Sequence, residues 1–229
     1  MREVPAFRAE ILRPRSTRYV VCVPVLNEGE RIARQLARMA PLAAQVDIVL
    51  ADGGSSDGSV AREPVSPHGV RAVLVKTGPG RLSAQMRMAM AWALDEGFDH
   101  VQGSRYVVGG HAENTPLTRH LGVQLLHAPL ISIAARFRYT DTTNGFRAYS
   151  ARFLLDPRVA PFRDVFVRYE LLFYLSVRAP QLGFRVTEIP VARRYPKNAP
   201  PPTKIAGLRG RFAMLGELLA VALGRFQPH

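Results

Sequence analysis

Cysteine and long apolar runs are scarce in this chain of 229 residues. The single cysteine, Cys22, excludes a disulfide framework, and a reducing compartment is the simplest setting for it. No apolar run approaches the roughly 18 residues that a membrane-spanning helix needs. Residues 1–18 are charged and broken by prolines, unlike a signal peptide. We therefore expect a cytoplasmic protein, with peripheral attachment at the inner face of the membrane as an option.

Acidic residues are also in short supply. The chain has 18 Asp and Glu against 31 Lys and Arg, a net charge of +13, and its only lysines are Lys76, Lys197 and Lys204. A basic, arginine-rich chain suits nucleic acid, an anionic membrane surface or a phosphorylated substrate, although a coding bias toward arginine gives the same composition. No aromatic RNA-binding motif, zinc finger or helix-turn-helix pattern is present, so we expect no nucleic-acid partner.

Common hydrolase and metal motifs are missing as well. Cys22 lies within an apolar strand pattern, and Ser104 lacks the glycine frame of a nucleophile elbow. His120 and His127 have no H-E-x-x-H frame around them. Hydrolysis through a covalent nucleophile and a histidine-based metal site are therefore not expected.

Strand and helix patterns alternate in the first half of the chain. In order, they are Tyr19–Val25, Glu28–Ala40, Asp47–Ala51, a short helix that Pro64 ends, Arg71–Lys76 and Leu82–Glu96. The strands are apolar runs of the kind that is buried on both faces of a parallel sheet. This order predicts an α/β fold with a doubly wound, mostly parallel sheet. We expect one domain over residues 1–205 and an amphipathic tail over residues 206–229.

Polar motifs follow the first two strands. PVLNE occupies Pro24–Glu28 and ADGGSSDGS occupies residues 51–59. An α/β sheet binds its ligand at the carboxyl ends of its strands, so the polar side chains should meet at one edge; they are Pro24, Asn27, Glu28, Asp52 and Asp57. Carboxylates accept hydrogen bonds from N–H and hydroxyl groups, and Gly53, Gly54 and Gly58 let backbone approach a ligand. The alternative is an ordinary turn, with Asn27 and Glu30 as a helix capping box.

A glycine loop precedes the third predicted helix. Its sequence is TGPGR, residues 77–81, and includes Gly80. Such a loop can offer backbone N–H groups to a phosphate, but it has neither P-loop nor dinucleotide-binding spacing. A simple turn is the alternative interpretation.

Together these motifs resemble the family 2 glycosyltransferases of the GT-A fold. The later segments QGSRYVVGG, NTPLTR and TDTTNGFRAYS and the helix with Glu170 resemble the polyprenyl-phosphate branch of that family. The resemblance implies transfer of a sugar, with inversion, from a UDP- or GDP-sugar to a polyprenyl phosphate or another lipid-linked acceptor. It also implies a divalent cation, Mg²⁺ or Mn²⁺.

The resemblance assigns roles to particular residues. The nucleotide-binding residues would be Pro24, Asn27, Glu28, Asp52, Gly53, Asp57 and Gly80. Arg105 and Arg147 would approach phosphates, and Asp141 would shape the acceptor loop with Thr143, Asn144 and Gly145. Asp141 is also the one candidate for a general base, although a phosphate acceptor is already anionic and needs none.

One element of the family pattern is missing. Relatives have a strand that ends in an acidic D-x-D motif and holds the cation, whereas here Asp99-His100 is followed almost at once by Gln102-Gly103-Ser104-Arg105. Asp99 and His100 are poor substitutes, so the cation ligands are not identified. The alternative is therefore a catalytically impaired relative that binds nucleotide or lipid phosphate without turnover.

Two further stretches have apolar faces. Leu117–Arg138, which Pro129 should kink, contains leucines and isoleucines. Arg209–Phe226 combines leucines with basic ends. Each predicts either a helix that packs on the core or one that lies on an anionic membrane surface.

Overall fold

A computed structural model describes residues 2–17, 19–61, 65–95, 111–113, 121–188, 191–194 and 207–228. The chain folds as two compact units. The first comprises Met1–His100 and Pro161–Arg168, and the second comprises Val101–Ala160 and Tyr169–His229. The motifs PVLNE and ADGGSSDGS belong to the first unit, and TDTTNGFRAYS belongs to the second.

The first unit is built on a four-stranded sheet. Its strands are β1 (Phe7–Ile11), β2 (Val20–Val25), β3 (Asp47–Asp52) and β4 (Val70–Lys76), in the order β1-β4-β3-β2. β3 pairs parallel with both β2 and β4, which confirms the three predicted strands. β1 pairs antiparallel with β4 and was not predicted, because all five of its side chains are exposed and no apolar pattern marks it.

Helices cover both faces of this sheet. On one face, Ile32 and Leu36 of α1 (Glu30–Met39) pack with Ile48 and Leu50. On the other face, Met88 and Trp92 of α2 (Leu82–Asp95) pack with Val49, Ala51 and Leu74. Apolar burial on both faces is what the continuous run of β3, buried at all six positions, requires. The predicted doubly wound arrangement is confirmed.

β2 differs from the prediction of a strand buried on both faces. Val21 is 37% exposed and Pro24 is exposed. Within the described residues β2 pairs only with β3, so it is an edge strand of this sheet. An edge position also suits Pro24, because proline has no N–H to donate to a further strand.

The second unit is mainly helical over its described part. It contains a π-helix (Val123–His127), α3 (Ala128–Ala135), α4 (Ala151–Leu154), α5 (Glu170–Gln181) and α6 (Gly207–Ala222). α5 packs against α3 and α6, and α3 also contacts α6. A parallel pair joins β5 (His111–Glu113) to β6 (Ala192–Arg194). Among the residues described, no helix is both long and apolar enough to cross a membrane.

One helix prediction needs correction, and another lies largely outside the described residues. Residues 53–61 form the expected Gly/Ser turn, in which Asp52 and Asp57 accept hydrogen bonds from main-chain N–H groups. The short helix that Pro64 was predicted to end falls mainly on residues 62–64, which lie outside the described residues. The helix predicted over Leu117–Arg138 ends at Ala135, and its described part changes from π to α geometry at Ala128. Pro129 therefore lies in the first turn of α3, where its missing N–H is tolerated.

Candidate functional site

Two loops begin side by side at the carboxyl ends of β2 and β3. We call residues 26–29 the first loop and residues 53–59 the second loop. Val25 lies opposite Asp52 in the sheet, and the Gly53 N–H donates to the Val25 carbonyl oxygen at 2.8 Å. The structure therefore brings together the residues that the two motifs predicted at one edge.

Asp52 holds the second loop from the inside. It is fully buried, and its Oδ2 accepts hydrogen bonds from the N–H groups of Gly54 and Ser55, each at 2.9 Å. Its Oδ1 accepts the hydroxyl of Ser55. A buried carboxylate needs such donors, since an unpaired charge in the interior is costly. Asp52 shapes the loop, and the predicted contact with a base or ribose would have to use an oxygen that already has these partners.

Ser59 ties the second loop to the first. Its side chain is buried, and its Oγ accepts the N–H groups of Glu28 at 3.0 Å and Gly29 at 2.8 Å. The same hydroxyl donates to Asp57 Oδ1. A hydroxyl has one donor and two acceptor positions, so these three bonds use all of them.

Asn27 makes a second link between the loops. Its N–H donates to Ser55 Oγ at 2.9 Å, and its Oδ1 accepts the Ser56 N–H at 2.8 Å. Its φ of +50° lies in the left-handed region, which asparagine tolerates better than most residues. The alternative interpretation as a capping box is wrong, because Gly29 precedes α1 and no side chain caps the helix.

Asp57 is the exposed carboxylate of the second loop. Its Oδ2 accepts the Gly29 N–H at 2.9 Å. The hydrogen bonds from the Ser59 hydroxyl and N–H, and then that from Gly29, stabilise its ionised form and hold the pKa of Asp57 below the ordinary 3.8. Asp57 is therefore a fixed negative charge at the point where the loops meet.

A ligand can reach some of the predicted residues more easily than others. Pro24, Asn27 and Asp57 are exposed, and Glu28 is half-buried. Glu28 Oε2 accepts a hydrogen bond from Arg31 Nε at 3.0 Å, which leaves its side chain beside the first turn of α1. These four residues form the accessible part of the candidate site.

Gly53 has a packing role in addition to its predicted closeness to a ligand. The buried Gln85 of α2 donates from Nε2 to the carbonyl oxygens of Val25 at 2.9 Å and Ala51 at 3.1 Å. A Cβ on residue 53 would lie 2.8 Å from the same Nε2. Gln85 therefore holds the ends of β2 and β3 together, and only glycine at position 53 leaves room for it.

The TGPGR loop shows the same feature. Gly80 has φ +99°, and a Cβ there would lie 2.5 Å from the Ala84 Cβ. Lys76 Nζ donates to the Gly78 carbonyl oxygen at 2.7 Å. Packing is thus sufficient to explain these glycines, as the interpretation of this loop as a turn requires.

In the second unit, Asp141 and its neighbours form an irregular segment that we call the 140–147 loop. Glu188 Oε2 accepts the N–H and the hydroxyl of Thr140 at 2.8 and 2.7 Å, and Oε1 accepts the Asp141 N–H at 3.1 Å. Asp141 is buried, and its Oδ1 accepts the Thr143 N–H at 3.2 Å. Asp141 therefore stabilises a turn within this loop.

Arg147, at the other end of this loop, is also buried. Its Nε donates to the Asn144 carbonyl oxygen at 3.0 Å, and its Nη2 donates to that of Thr142 at 2.6 Å. Its Nη1 donates to the Leu172 carbonyl oxygen at 2.7 Å and to the Ser176 hydroxyl. Burial raises the pKa of the adjacent Tyr149, and the charge of Arg147 opposes that rise. Arg147, which was predicted to approach a phosphate, is thus surrounded by hydrogen-bond acceptors of its own unit.

Several predictions lie outside the described residues. They concern Arg105, the Asp99-His100 pair, Ser104 and His120. Within the described part of the chain, no group of three or more His, Cys, Asp or Glu residues could hold a metal ion. Asp52, Asp57 and Glu28 instead accept hydrogen bonds from main-chain or side-chain groups, so the carboxylates of the two loops do not fit a cation site.

The network residues that sequence reasoning missed include Ser59, Gln85 and Glu188. Ser59 is part of the second motif, and its place two residues after Asp57 is a signal for a side-chain turn that could have been used. Gln85 and Glu188 have no comparable local signal, since their partners lie far away in the sequence.

Two curated proteins are similar to the chain in sequence. An undecaprenyl-phosphate mannosyltransferase of Micrococcus luteus is 25% identical over 209 residues, covering 76% of this chain and 82% of that protein. A polyprenol monophosphomannose synthase of Mycolicibacterium smegmatis is 26% identical over 221 residues, covering 79% of this chain and 78% of that protein. No family model matches the chain.

Solved structures of glucosyl-3-phosphoglycerate synthase from Mycobacterium tuberculosis are similar in fold. The complex with UDP has a TM-score of 0.58 at 19% identity and covers 91% of this chain and 80% of that protein. The complex with Mn²⁺, UDP and glucosyl-3-phosphoglycerate also has a TM-score of 0.58, at 18% identity and the same coverage.

The likeness to these solved structures shows that the chain has the GT-A fold. In sequence, the chain is similar to two enzymes that act in mannose transfer to polyprenyl phosphates, at 25% and 26% identity. The predicted fold is confirmed, and the sequence similarity agrees with the resemblance that the motifs predicted.

Proposed function

We propose that this chain transfers a sugar from a nucleotide-sugar donor to a polyprenyl phosphate, with inversion at the anomeric carbon. The observation that carries the proposal is the cross-linked pair of loops at the ends of β2 and β3, in which Asn27, Ser59 and Asp57 fix both backbones. Loops held in this way present a nucleotide with a preformed site, which lowers the ordering cost of binding. The names of the relatives in sequence supply the acceptor class.

The donor nucleotide would bind on the accessible residues of the two loops. Pro24 and the first-loop backbone would line the base, and Glu28 or the ionised Asp57 would accept hydrogen bonds from base or ribose. The loops that carry these groups would be held in place by Asp52, Gly53 and Gln85, which would act indirectly. Gly80 would help to shape the TGPGR loop, which would lie beside the donor.

The acceptor would supply its own nucleophile. A lipid monophosphate has a second pKa of about 6 and is anionic at neutral pH. Its oxygen would form a bond with the anomeric carbon as the bond to the nucleotide diphosphate breaks, and no proton has to be removed. Asp141 is accordingly not required as a base, which agrees with its position inside the 140–147 loop.

The described residues offer a candidate site for the nucleotide but none for a divalent cation. One solved structural neighbour contains Mn²⁺ with UDP, and in this chemistry such an ion neutralises the leaving diphosphate. The carboxylates of the two described loops already accept hydrogen bonds and do not form a cation site. We assign no step to a cation.

A second function has specific support. The match to the Micrococcus luteus protein runs over 209 residues, although it takes in only 76% of this 229-residue chain. The relative therefore has positions without a counterpart here, as the missing D-x-D element would require. Binding of nucleotide or lipid phosphate without turnover is the alternative.

We further propose that the second unit contacts an anionic membrane surface. Leu125, Ile133 and Leu223 are 72%, 77% and 71% exposed, and they lie on or next to helices that pack together. Arg136, Arg138 and Arg225 follow these helices and are exposed. Apolar side chains beside arginines suit the boundary between acyl chains and anionic headgroups. Co-sedimentation with anionic vesicles should be strong and should fall with salt, whereas equal binding to neutral vesicles would contradict the charge argument.

A thermal-shift panel tests the donor site. UDP, GDP and their sugars are added with and without Mn²⁺; a ligand at a hundred times its Kd adds about 2.7 kcal/mol to stability. For a chain of this size, that corresponds to a rise in Tm of roughly 5–10 °C. A rise that occurs without Mn²⁺ supports a nucleotide site that needs no cation, and a rise only with Mn²⁺ indicates cation ligands beyond the two loops. The absence of any rise would contradict donor binding.

A further inference from the structure

Arg147 joins the 140–147 loop to a helix. Two of its acceptors, the carbonyl oxygens of Thr142 and Asn144, belong to the loop. The other two, the Leu172 carbonyl oxygen and the Ser176 hydroxyl, belong to α5. A guanidinium has five N–H groups, so these bonds use four of them. A side chain bonded in this way has little left with which to bind a phosphate.

Glu188 holds the opposite end of the loop. Its two carboxylate oxygens accept three hydrogen bonds, two from Thr140 and one from the Asp141 N–H. Glu188 and Arg147 are both near enough to Tyr139 to influence its pKa, in opposite directions. An anionic and a cationic side chain therefore hold the two ends of one loop.

The loop lies outside regular secondary structure. Residues 137–149 contain neither helix nor strand. Short-range turns add two bonds within it, in which Asp141 Oδ1 accepts the Thr143 N–H and Asn144 Oδ1 accepts the Phe146 N–H. Gln124 Nε2 also donates to the Thr140 carbonyl oxygen at 3.1 Å. The shape of such a segment depends on its side-chain acceptors and donors.

The loop also has one exposed tip. Asp141, Thr142 and Asn144 are buried, whereas Gly145 is exposed and Phe146 is 51% exposed. The tip directly precedes Arg147, so the arginine fixes the backbone from which Phe146 projects.

We infer that Arg147 is a positioning residue: together with Glu188 it holds the 140–147 loop so that the tip, Gly145-Phe146, meets the acceptor in one conformation. The acceptor's identity rests on the proposed function, but the role of Arg147 in the loop does not. Lysine separates this role from phosphate binding. It keeps the positive charge that a phosphate needs, but it lacks the planar fork that reaches four separate acceptors.

Hydrogen–deuterium exchange of the substrate-free protein tests the inference. We compare peptides that cover residues 139–149 in the wild type, Arg147→Lys, Glu188→Gln and Arg158→Lys. The last is a matched control, because Arg158 is an exposed arginine of the same unit that pairs with Asp156. Arg147→Lys and Glu188→Gln should each speed exchange in these peptides by roughly tenfold or more, since charged hydrogen bonds to the loop are lost. Arg158→Lys should leave the exchange unchanged.

Wild-type exchange in Arg147→Lys would overturn the inference. If that variant does not fold, Ser176→Ala replaces it, because it removes one acceptor of Nη1 and keeps the guanidinium. It should speed exchange in the same peptides, and unchanged exchange would again overturn the inference.

Kinetics with a short prenyl phosphate add a second readout. If Arg147 acts through the loop, Arg147→Lys and Glu188→Gln should show similar changes in KM and similar changes in kcat. The kcat/KM of the double variant should then be no lower than that of the less active single variant. If Arg147 binds phosphate, Arg147→Lys should raise KM while Glu188→Gln leaves it unchanged, which would overturn the inference. A wild type without transfer activity would defeat the proposed function, while the exchange result would still decide the role of Arg147.

Discussion

Replacing Ser59 by alanine removes the central link between the two strand-end loops. Its hydroxyl accepts the N–H groups of Glu28 and Gly29 and donates to Asp57. Gly29 keeps a second acceptor in Asp57 Oδ2, so the main loss falls on the Glu28 N–H. A main-chain donor deprived of its acceptor in a part-buried place costs about 1–3 kcal/mol. At 2–4 °C per kcal/mol for a chain of this size, we expect Tm to fall by roughly 2–12 °C.

Calorimetry measures this change, with Ser56→Ala as the matched control. Ser56 lies in the same loop, is exposed, and contributes its main-chain N–H to Asn27, which the substitution keeps. Ser59→Ala should also weaken nucleotide binding more than Ser56→Ala does, because the first loop is no longer held. Equal Tm values for the two variants would refute the account of the loops as a cross-linked pair.

Three further predictions concern residues of the first unit, the first of them with a comparison variant in the second unit. Gly53→Ala should lower Tm, since the new Cβ would lie 2.8 Å from Gln85 Nε2, whereas Gly216→Ala, in α6 with open space around it, should raise stability by about 0.5–1 kcal/mol in chemical denaturation. Because the pKa of folded Asp57 lies below 3.8, the unfolded chain binds the proton more readily. The contribution of Asp57 to the free energy of unfolding is therefore complete above the unfolded-state pKa of 3.8, and it is lost as pH falls through the folded-state pKa. Asp57→Asn should therefore flatten the acid limb of a stability–pH curve, and an unchanged limb would contradict this assignment. Burial raises the pKa of Cys22 to about 12, so the native thiol should react with a thiol reagent at pH 8 far more slowly than the unfolded chain, and equal rates would disprove it.

The sequence predicted the parts of the fold that local patterns encode. β3 is apolar between its two terminal aspartates and is buried throughout, so its run of residues was sufficient. β1 has five exposed residues, and it is a strand only because β4 offers it an edge to pair with. The expected Gly/Ser turn in residues 53–61 is also locally encoded, because aspartate side chains accept the N–H groups that a helix would need.

In the candidate site, too, local patterns predicted some features, and contacts between distant residues decide the others. The motifs predicted that four residues meet at one edge of the sheet, because the carboxyl ends of parallel strands lie there, and the structure places them together: Asn27, Glu28, Asp52 and Asp57. The motifs did not indicate that Asp52 and Arg147 would be buried and bonded within their own units. Such burial depends on Ser55, Ser176 and Leu172, and the last two lie far from Arg147 in the sequence.

The most direct test of the central claim is transfer of a radiolabelled sugar to a prenyl phosphate. The purified chain is incubated with labelled UDP- or GDP-sugars and undecaprenyl phosphate in detergent, with and without Mn²⁺, and label is counted in the organic phase. We predict that label from at least one donor moves into that phase as an acid-labile prenyl-phosphate sugar. Label that stays in the aqueous phase with every donor, although the thermal-shift panel shows nucleotide binding, would contradict the claim and favour a relative that binds without turnover.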